Sequence, residues 1–86
     1  MSGSRILVID DETQLRRALR RSLEGHAYVV READDGESGI REFDAFKPDV
    51  VLLDLMLPDM SGVDVCRELR RKYETPIIVL SVADGE

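Results

Sequence analysis

The chain has 86 residues, a net charge of −6 from 12 basic and 18 acidic side chains, and a single cysteine. That length holds one small domain. Interleaved charges with an acidic excess argue against direct nucleic-acid binding by this chain, and one cysteine excludes an internal disulfide and suits a reducing compartment.

No apolar stretch approaches the length of a membrane span, and residues 1–4 (Met-Ser-Gly-Ser) read as a short flexible leader rather than a signal peptide. Arg5 to Asp10 is an aliphatic run closed by the carboxylates Asp10, Asp11 and Glu12, and it predicts a first strand. From Thr13 to Glu24 the positions Leu15, Ala18, Leu19, Ser22 and Leu23 recur at helical spacing. Arg16, Arg17, Arg20 and Arg21 take the opposite face, as a solvated surface or a docking surface, and Gly25 is the expected stop.

Ala27 to Ala33, short and β-branched, predicts a second strand, and Asp34-Asp35-Gly36 a turn. Ser38 to Phe46 predicts a helix with Ile40 and Phe43 facing inward, broken by Lys47-Pro48. Val50-Val51-Leu52-Leu53 then runs without a polar break into Asp54, the pattern of a central parallel strand buried on both faces. Leu57 to Gly62 is a loop. Ser61 with Asp64 resembles a capping box for a helix that buries Val65, Cys66, Leu69 and Tyr73 and ends on Arg70, Arg71 and Lys72. Thr75-Pro76 opens a fourth strand, Ile77 to Ser81.

Strands alternating with helices over short links predict an α/β fold with a parallel sheet and right-handed crossovers. In such sheets chemistry sits beyond the carboxyl ends of the strands, at the point where strand order reverses. If the first and third strands are neighbours, Asp10, Asp11, Asp54 and Ser81 meet there. Clustered carboxylates repel, so they raise a pKa or take a cation. Oxygen donors without histidine or thiolate select magnesium or a similar divalent ion. A carboxylate that attacks phosphorus gives an acyl phosphate. The plainer reading is that Asp10 and Asp11 begin a helix and Asp54 ends a strand. No G-x-G-x-x-G or Walker-type loop is present, so a nucleotide fold is disfavoured. Cys66 reads as a core residue and His26 as a turn residue.

Arg5 to Glu12, Pro48 to Gly62 and Pro76 to Ser81 together resemble the bacterial two-component response-regulator receiver (CheY-like) domain. Leu80-Ser81-Val82 and the Leu-Met-Leu-Pro-Asp run are most similar to the OmpR/PhoB class and its KdpE-like members. The resemblance implies a flavodoxin-like sheet, here (βα)3β in the order 2-1-3-4. It implies a phosphoacceptor rather than an enzyme, in which Asp54 takes a phosphoryl group from a sensor histidine kinase. Asp11, Asp54 and the backbone carbonyl of Met56 would hold Mg2+, with Asp10 acting through water. Ser81 would be the hydroxyl that senses the phosphoryl group, and Pro58 and Gly62 would shape the loop over the site. A cytoplasmic location is implied too, with contact to DNA only through an attached transcriptional domain.

The family has five βα units and a lysine after its fifth strand. Residues 5–86 therefore read as a partial receiver lacking the fourth and fifth helices and the fifth strand, and Lys47 and Lys72 do not stand where a substitute is expected. The expected consequence is self-association, as a dimer, through the fourth-strand edge or an uncovered sheet face. The alternative function is a phosphorylation-incompetent scaffold. An aspartyl phosphatase would need Asp-x-Asp, whereas Glu12 occupies the second position.

Overall fold

A computed structural model describes residues 3–80. The elements run β1 (Arg5–Ile9), α1 (Thr13–Gly25), β2 (Val29–Ala33), α2 (Gly36–Phe46), β3 (Val50–Leu53), α3 (Gly62–Lys72) and β4 (Ile77–Val79). All strands are parallel, in the order β2-β1-β3-β4. This is the expected flavodoxin-like arrangement.

Alternation along β1 sends its side chains to two separate cores. Leu7 and Ile9 join Ala33, Val51 and Leu53 beneath Phe43 of α2 and Val65 and Leu69 of α3, all buried. Cys66 of α3 and Tyr73, the extended residue just after it, pack half-buried against this core, and the Tyr73 ring lies against Phe43 with ring centroids 4.6 Å apart. Ile6, Val8 and Val30 form the core of the opposite face, covered by Leu19 and Leu23 of α1.

The α1 face is the thinner one. No residue of α1 is fully buried, and Ile78 on β4 is exposed. An open groove lies along this face, lined by Ile6, Leu23, Tyr28, Val50, Leu52 and Ile78. Burial of β3 on both faces, expected from its unbroken apolar run, is therefore complete on one face only. Val51 and Leu53 are buried, whereas Val50 and Leu52 are half-buried, because α1, the one helix on their side among the described residues, packs over β1 and β2.

Half of the arginine face of α1 is a clamp. Arg16 Nε and Arg20 Nη1 donate to the two carboxylate oxygens of Glu32 on β2, at 2.7 and 2.9 Å. Burial raises the Glu32 carboxyl, but the hydrogen bonds and charges of Arg20 and Arg16 outweigh it and hold the group below its ordinary value.

Three of the boundaries that differ from the sequence expectation do so for a local reason. β2 starts at Val29 because α1 unwinds through a turn in which Ala27, at φ 68°, donates to Glu24 O at 3.0 Å. The left-handed residue after the helix is thus Ala27, and Gly25 stays inside it. α2 starts two residues early, at Gly36, because the Asp35 side chain accepts from Ser38 N at 2.8 Å. Gly3 and Ser4, expected in a leader, are bound to the sheet: Gly3 N donates to Ala27 O and Val29 N to Ser4 O, both at 2.9 Å.

Two substitutions check this account by urea denaturation. Ala27→Gly removes the left-handed Cβ clash and should stabilise the domain by about 0.5–1 kcal/mol. Glu32→Gln should cost about 1–3 kcal/mol at neutral pH. Since the folded Glu32 carboxyl lies below its ordinary value of 4.5, its contribution is complete above that pH and fades as the pH falls through the folded value. The gap between wild type and Glu32→Gln should close over that acidic range.

A carboxylate cluster at the carboxyl edge of the sheet

β1 and β3 are adjacent, with Ile9 opposite Leu53. Each strand therefore delivers its next residue to the same edge, and the backbone fixes both. Asp54 N donates to Ile9 O at 2.9 Å, and Asp10 N to Ala33 O at 3.0 Å. Asp10, Asp11 and Asp54 each bring a carboxylate oxygen within 4.8 Å of the others. Asp10 is buried, Asp54 half-buried and Asp11 exposed.

Burial pushes the Asp10 carboxyl above its ordinary value, and the charges of Asp54, Asp11 and Glu12 push the same way. Its hydrogen bond from Glu12 N, at 2.8 Å, opposes them without prevailing. Repulsion of this kind is relieved by a cation. The donor set fits a magnesium-sized divalent ion, being hard oxygens with no imidazole or thiolate among them.

Asp54 is oriented by the loop that follows it. Met56 N donates to Asp54 Oδ1 at 3.0 Å, Gly62 N donates to Leu55 O at 2.9 Å, and Met56 and Ser61 form an antiparallel bridge. The result closes the base of the loop. A side chain at position 62 would run into the backbone of Leu55 and stand 2.5 Å from Asp54 O, so glycine is required there by close approach. Ser61 Oγ accepts from Val63 N at 3.1 Å and starts α3. Pro58 is exposed at the tip. Ser81 lies outside the described residues, although Leu80 N donates to Leu53 O at 2.8 Å, which carries the chain toward this edge.

Two contributors were not singled out by sequence. Arg16 Nη1 donates to Asp10 O at 2.7 Å, holding the peptide that carries the buried carboxylate. Asp59, read only as a loop residue, accepts from the first amides of α2. Neither has a local signal, because each partner is remote along the chain or is backbone. Lys47 and Lys72 both interact with Asp44, at 3.3 and 3.5 Å, by the carboxyl end of α2.

Comparison with known proteins agrees with this geometry. The family model described as the response regulator receiver domain matches residues 6–86. The transcriptional regulatory protein ResD of Bacillus subtilis is 46% identical over 83 residues, which are 96% of this chain and 34% of ResD. The chain thus spans about a third of that relative. Among solved structures, the BeF3-activated N-terminal receiver domain of RstA from Klebsiella pneumoniae matches with a TM-score of 0.90 at 30% identity, over 96% of this chain and 71% of that one. The response regulator TrrA of Thermotoga maritima, in complex with Mg2+ and BeF, matches with a TM-score of 0.87 at 35% identity, over 94% and 71% of the two chains.

The cluster is held at a cost in stability that can be measured. Ionised Asp10 opposes folding at any pH above its raised folded value, and the penalty disappears below the ordinary value of 3.8. Asp10→Asn, still able to accept from Glu12 N, should raise stability at neutral pH by about 1 kcal/mol, or roughly 4–8 °C in Tm. The gain should vanish in acid and should be accompanied by weaker stabilisation on adding Mg2+, both read from thermal melts.

Proposed function

The chain belongs to the response regulator receiver domain family, and on that premise we propose that Asp54 is its phosphoacceptor. The observation that carries this reading is the convergence of Asp10, Asp11 and Asp54 just past β1 and β3, with Asp54 fixed at the strand end by Ile9 and Met56. A carboxylate oxygen of Asp54 attacks the phosphorus of a phosphohistidine on a sensor histidine kinase. The new P–O bond forms an acyl phosphate as the P–N bond breaks, and the imidazole, already protonated on its other ring nitrogen, leaves as the neutral ring.

Asp11, Asp54 and the Met56 carbonyl are the ligands we assign to Mg2+, with Asp10 acting through water. When bound, the ion offsets the negative charge of the carboxylates and of the incoming phosphoryl oxygens. The remaining work belongs to the chain. Met56 N orients the attacking carboxylate, Arg16 and Glu12 hold Asp10 in place, and Gly62 allows the loop to close against Asp54. Ser81, next in sequence to Leu80, is assigned as the hydroxyl that responds to the phosphoryl group, and Pro58 as the residue stiffening the loop.

The similarity to ResD, a transcriptional regulatory protein, supports a cytoplasmic phosphorelay role with transcriptional output from another part of the parent protein. No helix among the described residues is long and apolar enough to cross a membrane. The exposed edge of β4, with Ile78 and Val79 open to solvent, is the surface we assign to pairing with a second copy. A chemically silent scaffold is the less favoured reading, since it leaves the convergence of repelling carboxylates without a purpose.

Intact mass after incubation with a small acyl phosphate tests the assignment. The wild-type chain should gain one phosphoryl group in the presence of Mg2+, with little gain in EDTA. Asp54→Asn should gain none under either condition. Uptake that persists in this variant would sink the assignment of Asp54.

A further inference from the structure

The loop between β3 and α3 has its base at the carboxylate cluster and its tip elsewhere. Asp59, at the tip, extends its side chain to the amino end of α2. Its Oδ1 accepts from Gly36 N at 2.7 Å and its Oδ2 from Glu37 N at 2.9 Å. These are the first two amides of the helix, and the third, Ser38 N, is taken by Asp35 at 2.8 Å. Three orphan donors are thereby closed, two of them by a residue more than twenty positions away. A carboxylate is the favoured partner there, since amide donors and the helix dipole both stabilise negative charge. The two bonds hold the Asp59 carboxyl below its ordinary value, so it is ionised at neutral pH.

A second contact makes the attachment specific. The Met60 side chain lies over Gly36, where a Cβ would collide with Met60 Cγ and stand 2.6 Å from its Sδ. Gly36 is buried by this contact. The helix beneath is a fixed post: Phe43 is buried in the core, and Gly39 sits so close to β1 that a Cβ would stand 2.7 Å from Ile9 Cδ1. Ile9 in turn accepts from Asp54 N. Both ends of the loop therefore refer to the same strand end, through the base by way of Asp54 and through the tip by way of α2.

We infer that Asp59 is a positioning residue for phosphoryl chemistry, fastening the loop that carries Met56 to α2 so that the Met56 carbonyl and the Asp54 carboxylate keep their mutual placement. The inference rests on the reading of Asp54 as phosphoacceptor and of the Met56 carbonyl as a cation ligand. A cap that served helix stability alone would give a different pattern, because α2 already has its own cap in Asp35. Asp35 and Asp59 occupy one helix terminus, but only Asp59 connects it to the loop.

That contrast supplies the experiment. Wild type, Asp59→Ala, Asp59→Asn, Gly36→Ala and Asp35→Ala are compared for Mg2+ affinity by calorimetry and for phosphorylation rate with a small acyl phosphate, at a temperature where circular dichroism shows each folded. Asp59→Ala should weaken Mg2+ binding and slow phosphorylation about 10-fold, the scale of losing a residue that orients a ligand. Asp59→Asn keeps one acceptor oxygen and should recover part of the loss. It also remains informative should the alanine variant not fold. Gly36→Ala, which displaces Met60 with Asp59 intact, should reproduce the defect, whereas Asp35→Ala should lower Tm and leave both constants within about twofold. Asp59 variants that match wild type in affinity and rate, or that change no more than Asp35→Ala, overturn the inference alone. Absence of uptake by the wild type overturns the phosphoacceptor reading and this one with it.

Discussion

The pairing of β1 with β3 is the constraint on which the rest of the molecule depends. Ile9 stands opposite Leu53, and Asp54 N reaches Ile9 O, so the two strands end level with each other. A parallel ladder has no other way to place Asp10 and Asp54 side by side, since the two are far apart in sequence. Slipping the register by one residue would send every side chain of β3 to the opposite face and take Leu53 out of the main core. The core that buries Leu7, Ile9, Val51 and Leu53 thus enforces the position of the two carboxylates.

What that position demands is opposed by the fold's own electrostatics. Buried Asp10 is held near two further carboxylates, an arrangement that disfavours the charged state. Neighbouring groups keep it in place nonetheless: Glu12 N binds the carboxylate, Arg16 binds the carbonyl, and Arg16 and Arg20 are themselves locked to Glu32 on β2. A network that begins as an ordinary helix–strand clamp therefore ends at the site. Repulsion of this sort is relieved by a bound cation, whose charge offsets that of the clustered carboxylates.

The two faces of the sheet divide the labour. α2 and α3 lie over one dense core, and the loop at the site is tied to both, through Asp59 to α2 and through Ser61 and Gly62 to α3. The α1 face is thinner, with an apolar groove beside α1 and the outer residues of β4 open. Rigidity is thus concentrated on the side from which the loop over Asp54 is supported.

Much of this was legible in the sequence, because it depends on short-range pattern. The aliphatic runs ending in Asp10 and Asp54, the helical stripes and the breaks at Lys47-Pro48 and Thr75-Pro76 determine seven alternating elements and hence a parallel sheet. The carboxylates were visible as residues that close apolar runs, and the receiver resemblance supplied their roles. The boundaries that differed depend on single hydrogen bonds, one from Ala27 N to Glu24 O and one from Ser38 N to the Asp35 side chain, which the apolar pattern does not register. The uneven burial of Val50 and Leu52 is a matter of which helix lies over which strand, and an unbroken apolar run is the same in either case. The contacts of Arg16 with Asp10 and of Asp59 with α2 had no signature, since a backbone amide or carbonyl partner leaves no trace in residue identity. By itself the sequence determined which groups could do chemistry and which strands would carry them. Only the tertiary structure decided which were brought together and what holds them, because hydrogen bonds to backbone between distant segments exist only once the chain has folded.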